Sequence, residues 1–321
     1  MIKNTDLLFV AGAGTLANHI NNISKIIIEK IKQKRKNRVL LINHPYSVKI
    51  LNALDGELED YFDVLCYTSE YFLKKDHFVF NNKSTLKEIV LYHPVFKDRP
   101  KQKLFSNNKP ITIGRISRDH IDKFSEDTKD FYEYLEKYNF NFIFLGAKKT
   151  LNNFFPQKTS KKNWLIFGEE ELTKEDFFNK MDIFLYKTSR QYKEYFGNVI
   201  IEAMYYGIPA VTENRDSYKE QIIDKITGFL CDNNDEFYKR ILELKENVKL
   251  REKISKNSQN YVMEKFNLEE FKFNHVMKFL DIIDKIDLNT FKKNQDLLKL
   301  LNNKNLKIIN KFINQNTILY M

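Results

Sequence analysis

Two carboxylates, Glu194 and Glu202, stand with seven residues between them, and a Phe196-Gly197-Asn198 turn lies inside that interval. After the turn, Val199, Ile200, Ala203 and Met204 recur at helical spacing. Asn198 reads as the N-cap and Gly207 as the C-terminal stop, with Pro209 just beyond. This predicts a short buried helix over about 199–206. Such a turn presents backbone N–H groups at the positive end of the helix, a setting for an anion or for hydroxyls. Glu202, one turn in, must leave an otherwise apolar segment, and a carboxylate there is costly unless it meets a partner. By the helix rules alone, both glutamates could simply face water.

A second group collects at Gly114-Arg115, Arg118 and Lys123, just after the apolar run Ile111-Thr112-Ile113. A loop with three cations at a strand end could hold a diphosphate, Arg as a planar fork and Lys as a point charge. Taken alone it is also an ordinary solvated loop. Gly168-Glu169-Glu170 follows another apolar run, Trp164 to Phe167, and reads equally well as a plain turn leading into a helix.

The elements that must carry these groups alternate. Apolar runs at 6–10, 39–42, 63–67 and 88–92 each end at a polar turn, with helical periodicity between them. The polar, proline-bounded stretch 97–110 reads as a linker. A second series follows: strands at 111–113, 140–145, 164–167, 182–186 and 208–212, helices at about 125–138, 172–181 and 235–280, and a Lys/Asn/Leu-rich tail. Strands alternating with helices indicate parallel, doubly wound sheets, whose functional groups gather at the carboxyl ends of the strands. His19, His44 and Ser69 fall near such ends.

Composition bounds the rest. With 42% hydrophobic residues over 321 positions the chain can bury two cores of ordinary size. No apolar run approaches the ~18 residues of a membrane span, and the N-terminus has no signal-peptide pattern. Cys66 and Cys231 lie far apart, and neither they nor the six histidines have metal-ligand spacing, which fits a reducing, cytoplasmic compartment. The net charge of +10 suits an anionic partner, a nucleotide diphosphate or an anionic membrane face, although a Lys/Asn/Ile-rich coding bias explains it equally well. No nucleic-acid motif is present.

The run from Glu194 through Glu202, Gly207-Ile208-Pro209 and Glu220 to Gly228-Phe229-Leu230 resembles the nucleotide-sugar site of retaining glycosyltransferases with the two-domain GT-B fold, family 4-like (glycosyl transferases group 1). The resemblance is strong over roughly 110–280 and weaker over 1–96. It implies an α/β chain: two Rossmann-like domains with parallel sheets facing a cleft, plus C-terminal helices. The boundaries expected are 1–108 for an acceptor-side domain, 109–265 for the donor domain, and 266–321 for helices packing back and a basic tail. It implies retaining transfer of a sugar from a nucleoside diphosphate sugar, a UDP- or GDP-sugar, to a glycan or lipid-linked acceptor, with no cofactor and no metal.

The residue roles follow from the same resemblance. Arg115 and Lys123 would neutralise the leaving diphosphate, with Gly114 beside them. Because Lys123 stands eight residues after Arg115 where the family has five or six, Arg118 is the alternative arginine. Glu194 would lie against the donor sugar with His44, His19 being the rival histidine. Glu202 would bind the ribose, Phe196, Gly197, Asn198 and Val199 would offer amides, and Gly168 and Glu169 would grip the base. Relatives carry further β/α elements ahead of a strand like 6–10, so the first domain is expected to be shortened, with Gly12–Gly14 standing in for a missing loop. That departure keeps two alternatives: an inactive GT-B scaffold or partner subunit, and a GT-B nucleotide-sugar epimerase. Peripheral attachment at the inner membrane face is the expectation from the charge.

Overall fold

The computed structural model describes residues 7–10, 38–42, 64–80, 87–90, 92, 96, 98–106, 110–157 and 162–267. His19, His44, Gly12–Gly14 and the tail from 268 onward lie outside the described residues.

The chain divides into two compact units, the second running Phe96–Asn267. In the first, β1 (Leu7–Val10), β2 (Arg38–Ile42), β3 (Val64–Tyr67) and β4 (Lys87–Val90) form one parallel sheet in that order. Helix α1 (Glu70–Phe80) follows β3. Ser69 starts this helix: its buried Oγ accepts from the Phe72 amide at 3.0 Å. The sequence put Ser69 among the strand-end candidates, and its hydroxyl serves as a cap.

The second unit is a six-stranded parallel sheet. Its strands are β5 (Thr112–Ile116), β6 (Asn141–Leu145), β7 (Trp164–Phe167), β8 (Ile183–Tyr186), β9 (Ala210–Glu213) and β10 (Gly228–Cys231), in the order β10-β9-β8-β5-β6-β7. The helices are α2 (Thr128–Glu136), α3 (Lys148–Phe154), α4 (Lys174–Asn179), α5 (Asn198–Tyr205), α6 (Tyr218–Gln221), α7 (Asn234–Glu246) and α8 (Val248–Lys265). Helices on both faces explain why the strands read as unbroken apolar runs rather than alternating ones. All four residues of β8 are buried. The core is aromatic: Tyr132, Phe142, Phe144 and Phe155 ring Trp164, whose indole N–H donates to Glu136 at 2.7 Å. Each such side chain contributes roughly 1.5–3 kcal/mol by leaving water.

The linker expectation needs correction. The second unit starts at Phe96, not at 109, because the 98–106 segment is fastened to it. The Tyr205 hydroxyl donates to the Asp98 carbonyl at 2.6 Å, Lys103 to the Asn179 carbonyl at 2.6 Å, and the buried Arg251 to the Ser106 carbonyl at 3.3 Å. Polar composition marked a loop, but its carbonyls are spoken for.

Helix α5 begins one residue earlier than expected. Gly197, with φ −83° and ψ 79°, is the cap, and Asn198 is the first helical residue and makes no side-chain cap bond. The stop is as read: Gly207 has φ +71°, and a Cβ there would stand 2.6 Å from Ser255 Oγ. Helix α8 closes over that end, Gln259 donating to the Tyr205 carbonyl at 3.2 Å.

Candidate functional site

The chain runs β5, β6, β7 to one side and then returns to place β8 on the other side of β5. The strand order therefore reverses between β5 and β8, and in open parallel sheets ligands bind beyond the carboxyl ends at such a point. The loop 117–127 leaves β5 here, and the loop 187–197 leaves β8.

The two loops meet at Lys123. Its ammonium lies 3.0 Å from Glu194 Oε2, 2.6 Å from the Tyr192 hydroxyl and 3.1 Å from the Tyr186 hydroxyl. Lys123 and Glu194 are each only 8% exposed. Burial pulls the Lys123 pKa below its ordinary value, and the Glu194 carboxylate opposes it. Burial, with Glu194 second, raises the Tyr186 phenol well above its usual range, so it stays protonated and donates to Glu194 at 3.1 Å while accepting from Lys123. The loops are also joined through the backbone, Ser189 N–H donating to the Asp122 carbonyl at 3.2 Å, and Ser189 Oγ to Glu126 at 2.6 Å. Arg215, after β9, holds the second loop from behind by donating to the carbonyls of Tyr192 (2.7 Å) and Ser189 (3.0 Å).

Arg115 is brought to the same place but differently from expectation. It is 2% exposed. Its guanidinium lies between the rings of Phe124 and Tyr186, 4.5 and 4.7 Å from their centroids, and donates to the Lys123 carbonyl. Gly114 is buried beneath it. Arg118 is exposed and has no carboxylate partner among the described residues.

Helix α5 carries the remaining donor-side candidates. The amides of Gly197 and Val199 have no acceptor among the described residues, whereas Asn198 N–H is taken by the Phe196 carbonyl at 3.1 Å. Glu202 pairs through Oε1 with Lys174, at the start of α4, at 2.7 Å. Its Oε2 is buried without a partner, as are Asn198 Oδ1 and Ser117 Oγ. Burial pushes the Glu202 carboxyl above its ordinary value, with Lys174 pulling the other way. Gly168 ends β7, two strands from β5 and so about 10 Å along the sheet edge. Glu169 is exposed, so any contribution from 168–169 falls to the backbone rather than to a buried acid.

Sequence reasoning missed Tyr186, Tyr192, Arg215 and Lys174. Tyr186 ends an apolar strand and reads as core, and the others lie in polar loops or at helix starts where no spacing rule singles them out.

Residues 96–261, just over half of the chain, match the family described as glycosyl transferases group 1. The chain belongs to that family. Over 175 residues it is 29% identical to the capsular polysaccharide biosynthesis glycosyltransferase CapM of Staphylococcus aureus. That match covers 51% of this chain and 44% of CapM, so the chain spans less than half of that relative. Among solved structures, Anabaena HepE in complex with UDP-glucose superposes with a TM-score of 0.66 at 15% identity, over 86% of this chain and 79% of that one. S. aureus TarM in complex with fondaparinux, alpha-GlcNAc-glycerol and UDP gives 0.66 at 16% identity, over 87% and 55%. These likenesses show the GT-B fold for this group 1 glycosyltransferase family member.

Proposed function

We propose that this protein transfers a sugar from a nucleoside diphosphate sugar, a UDP- or GDP-sugar, to a glycan or lipid-linked acceptor, with retention at the anomeric carbon and no divalent metal. The observation that carries this reading is the buried Lys123–Glu194 pair at the switch point; Ser117 Oγ, just after β5, and Asn198 Oδ1 and Glu202 Oε2, on α5, are also buried without partners among the described residues. Buried polar atoms are ordinarily satisfied, so orphans on elements that leave this edge are open to bonds from a ligand. The order along the edge fits such a donor. Gly168 at β7 meets the base, Glu202 the ribose hydroxyls, the cations after β5 the diphosphate, and Glu194 with the Gly197 and Val199 amides the sugar.

Transfer breaks the bond between the anomeric carbon and the diphosphate oxygen, and negative charge builds on the leaving diphosphate. A fixed ammonium in a water-poor site stabilises that charge without reorganising, and loss of one such donor lowers turnover about 10²–10³-fold. Lys123 is prepared for this, since its backbone is held by Arg115 and its ammonium by two phenols and Glu194. HepE was captured with UDP-glucose, which supports trying UDP first.

The deciding experiment is a melting panel with UDP, GDP, ADP, TDP and CMP. A ligand present at about 100 times its Kd adds about 2.7 kcal/mol, which is readily seen. With the donor known, proton NMR of the new anomeric centre tests retention, and transfer in excess EDTA tests metal independence. If no nucleotide shifts the melt, the donor site has been misread. The proposal includes a cytoplasmic location with peripheral contact at an anionic membrane face, motivated by the +10 charge. No helix among the described residues is long and apolar enough to cross a membrane. Failure to co-sediment with anionic vesicles at low salt would remove the membrane contact.

A further inference from the structure

We propose that the segment 215–221, behind the loop that leaves β8, sets how the transferred sugar is held, with Ser217 and Gln221 as its positioning residues. This rests on the nucleoside diphosphate sugar reading above, in which Glu194 and the Gly197 and Val199 amides meet the sugar.

The segment follows β9 and meets the loop 187–197 bond by bond. Arg215 takes the carbonyls of Ser189 and Tyr192. Asp216 Oδ2 accepts from the Glu194 amide at 3.4 Å, and Ser217 Oγ donates to the Glu194 carbonyl at 2.8 Å. Gln221 Nε2 donates to the Gly197 carbonyl at 3.1 Å. Both backbone groups of Glu194 and the carbonyl at the cap of α5 are therefore held by one segment, in chain order. The Glu194 carboxylate can be placed no better than this backbone is.

Several of these bonds are made at the expense of the fold. Asp216 lies in the left-handed region at φ 50°, uncommon for a residue other than glycine and tolerated by Asp. Ser217 stands at the start of α6 and makes no side-chain cap bond there. A serine in that position ordinarily satisfies an amide of its own helix, whereas this buried hydroxyl goes to Glu194. Gln221 is wholly buried, yet its Oε1 has no partner among the described residues. An unpaired buried acceptor is a net cost, and the Gly197 carbonyl would stay satisfied without Gln221, because Ile200 N–H also reaches it at 2.9 Å. Gln221 thus adds little to stability and pins the turn from which α5 starts. Helix α8 braces the segment in turn, the Glu220 carbonyl accepting from the Tyr261 hydroxyl at 3.0 Å and from Lys265 at 3.2 Å. The groups read as nucleotide contacts are anchored elsewhere, Glu202 by Lys174 and the Lys123 backbone by Arg115, so the hold on the sugar can be perturbed by itself.

Calorimetry with UDP and with UDP-glucose, UDP-galactose and UDP-GlcNAc, or the GDP counterparts if the melting panel selects GDP, separates nucleotide from sugar. Gln221→Met nearly keeps the volume and removes both polar atoms. It should melt within about 2 °C of the wild type and bind the bare diphosphate within about twofold of it. It should lose about tenfold in affinity for whichever sugar donor the wild type binds best. Ser217→Ala acts through Glu194, so it should weaken that donor more than the bare diphosphate, and it should add little once Glu194→Gln is in place. An unchanged ratio of sugar-donor to bare-diphosphate affinity in Gln221→Met, or an equal loss of both, overturns the role of Gln221 and leaves the functional reading standing. Full additivity of Ser217→Ala with Glu194→Gln overturns the role of Ser217. A wild type that binds the bare diphosphate but none of its sugar conjugates, or that binds neither, overturns the functional reading and this inference with it.

Discussion

Replacing Lys123 by Met removes the ammonium and keeps most of the stem, so the loss can be worked from the geometry. Lys123 and Glu194 are 3.0 Å apart with side chains each 10% exposed. Removing one partner from a buried pair costs about 3–5 kcal/mol, because the survivor is left as an uncompensated charge. Glu194 keeps the Tyr186 hydroxyl at 3.1 Å, which places the cost near the lower end, about 3 kcal/mol. For a unit of this size that lowers Tm by about 6–12 °C. Glu194→Gln should cost less, since the stranded ammonium still meets Tyr192 and Tyr186. The double variant removes both charges and should recover much of the stability, because a buried pair replaced by neutral groups is often close to neutral. Turnover should part company with Tm: both variants carrying Met lose about 10²-fold or more, and the double variant stays slow although it is stable. Calorimetric melting and a transfer assay read the two quantities separately. Single variants that melt within about 2 °C of the wild type would refute the buried pair, and an active double variant would refute the role of its charge.

Glu202→Gln should weaken nucleoside binding by about 1.5–3 kcal/mol at neutral pH, the range for hydrogen bonds to a charged group. Because the Glu202 pKa is raised by burial, wild-type affinity should fall as pH drops through a value above the usual 4.5, and calorimetry should find that dependence flattened in the variant. Since the Lys123 pKa is depressed, its charge is lost at a lower pH than that of an ordinary lysine, so turnover should decline on the alkaline side beginning below 10.5, measured as a pH profile of kcat. Gly207→Ala forces a side chain into φ +71° and against Ser255 and Gln259, and should lower stability by about 1–3 kcal/mol in a thermal melt.

The elements were legible because each is written locally. Trp164–Phe167 was read to the residue, and α5 missed by one at each end because its cap is the Gly197 backbone, which has no side chain to announce it. The 98–106 segment was misassigned for a related reason. Its anchors, Tyr205, Lys103 and Arg251, act on carbonyl oxygens, and every sequence offers carbonyls. Of the site, the charged residues could be nominated from type and spacing, but the state of each could not. Arg115 and Arg118 are the same residue in the same loop, and only packing makes one a buried brace and leaves the other free.

What periodicity could not supply is the strand order. Nothing in an apolar run says that β8 lies beside β5 rather than beside β7, yet that adjacency carries Glu194 across 71 positions to Lys123. Once β5 and β8 are neighbours, their two loops leave from the same edge with no strand between them. Each then covers apolar and polar surface the other would expose. The Phe124 and Tyr186 rings cover the Arg115 guanidinium, Lys123 needs acceptors, and Tyr192 is held toward it by Arg215. A pair assembled from two loops is more sensitive to either loop than a pair within one. Changes at Ser189, which touches neither Lys123 nor Glu194 through its side chain, should therefore alter catalysis by moving a loop. The reversal point of the sheet thus does more than open a crevice, because it makes the position of the Lys123 ammonium depend on two otherwise independent crossovers.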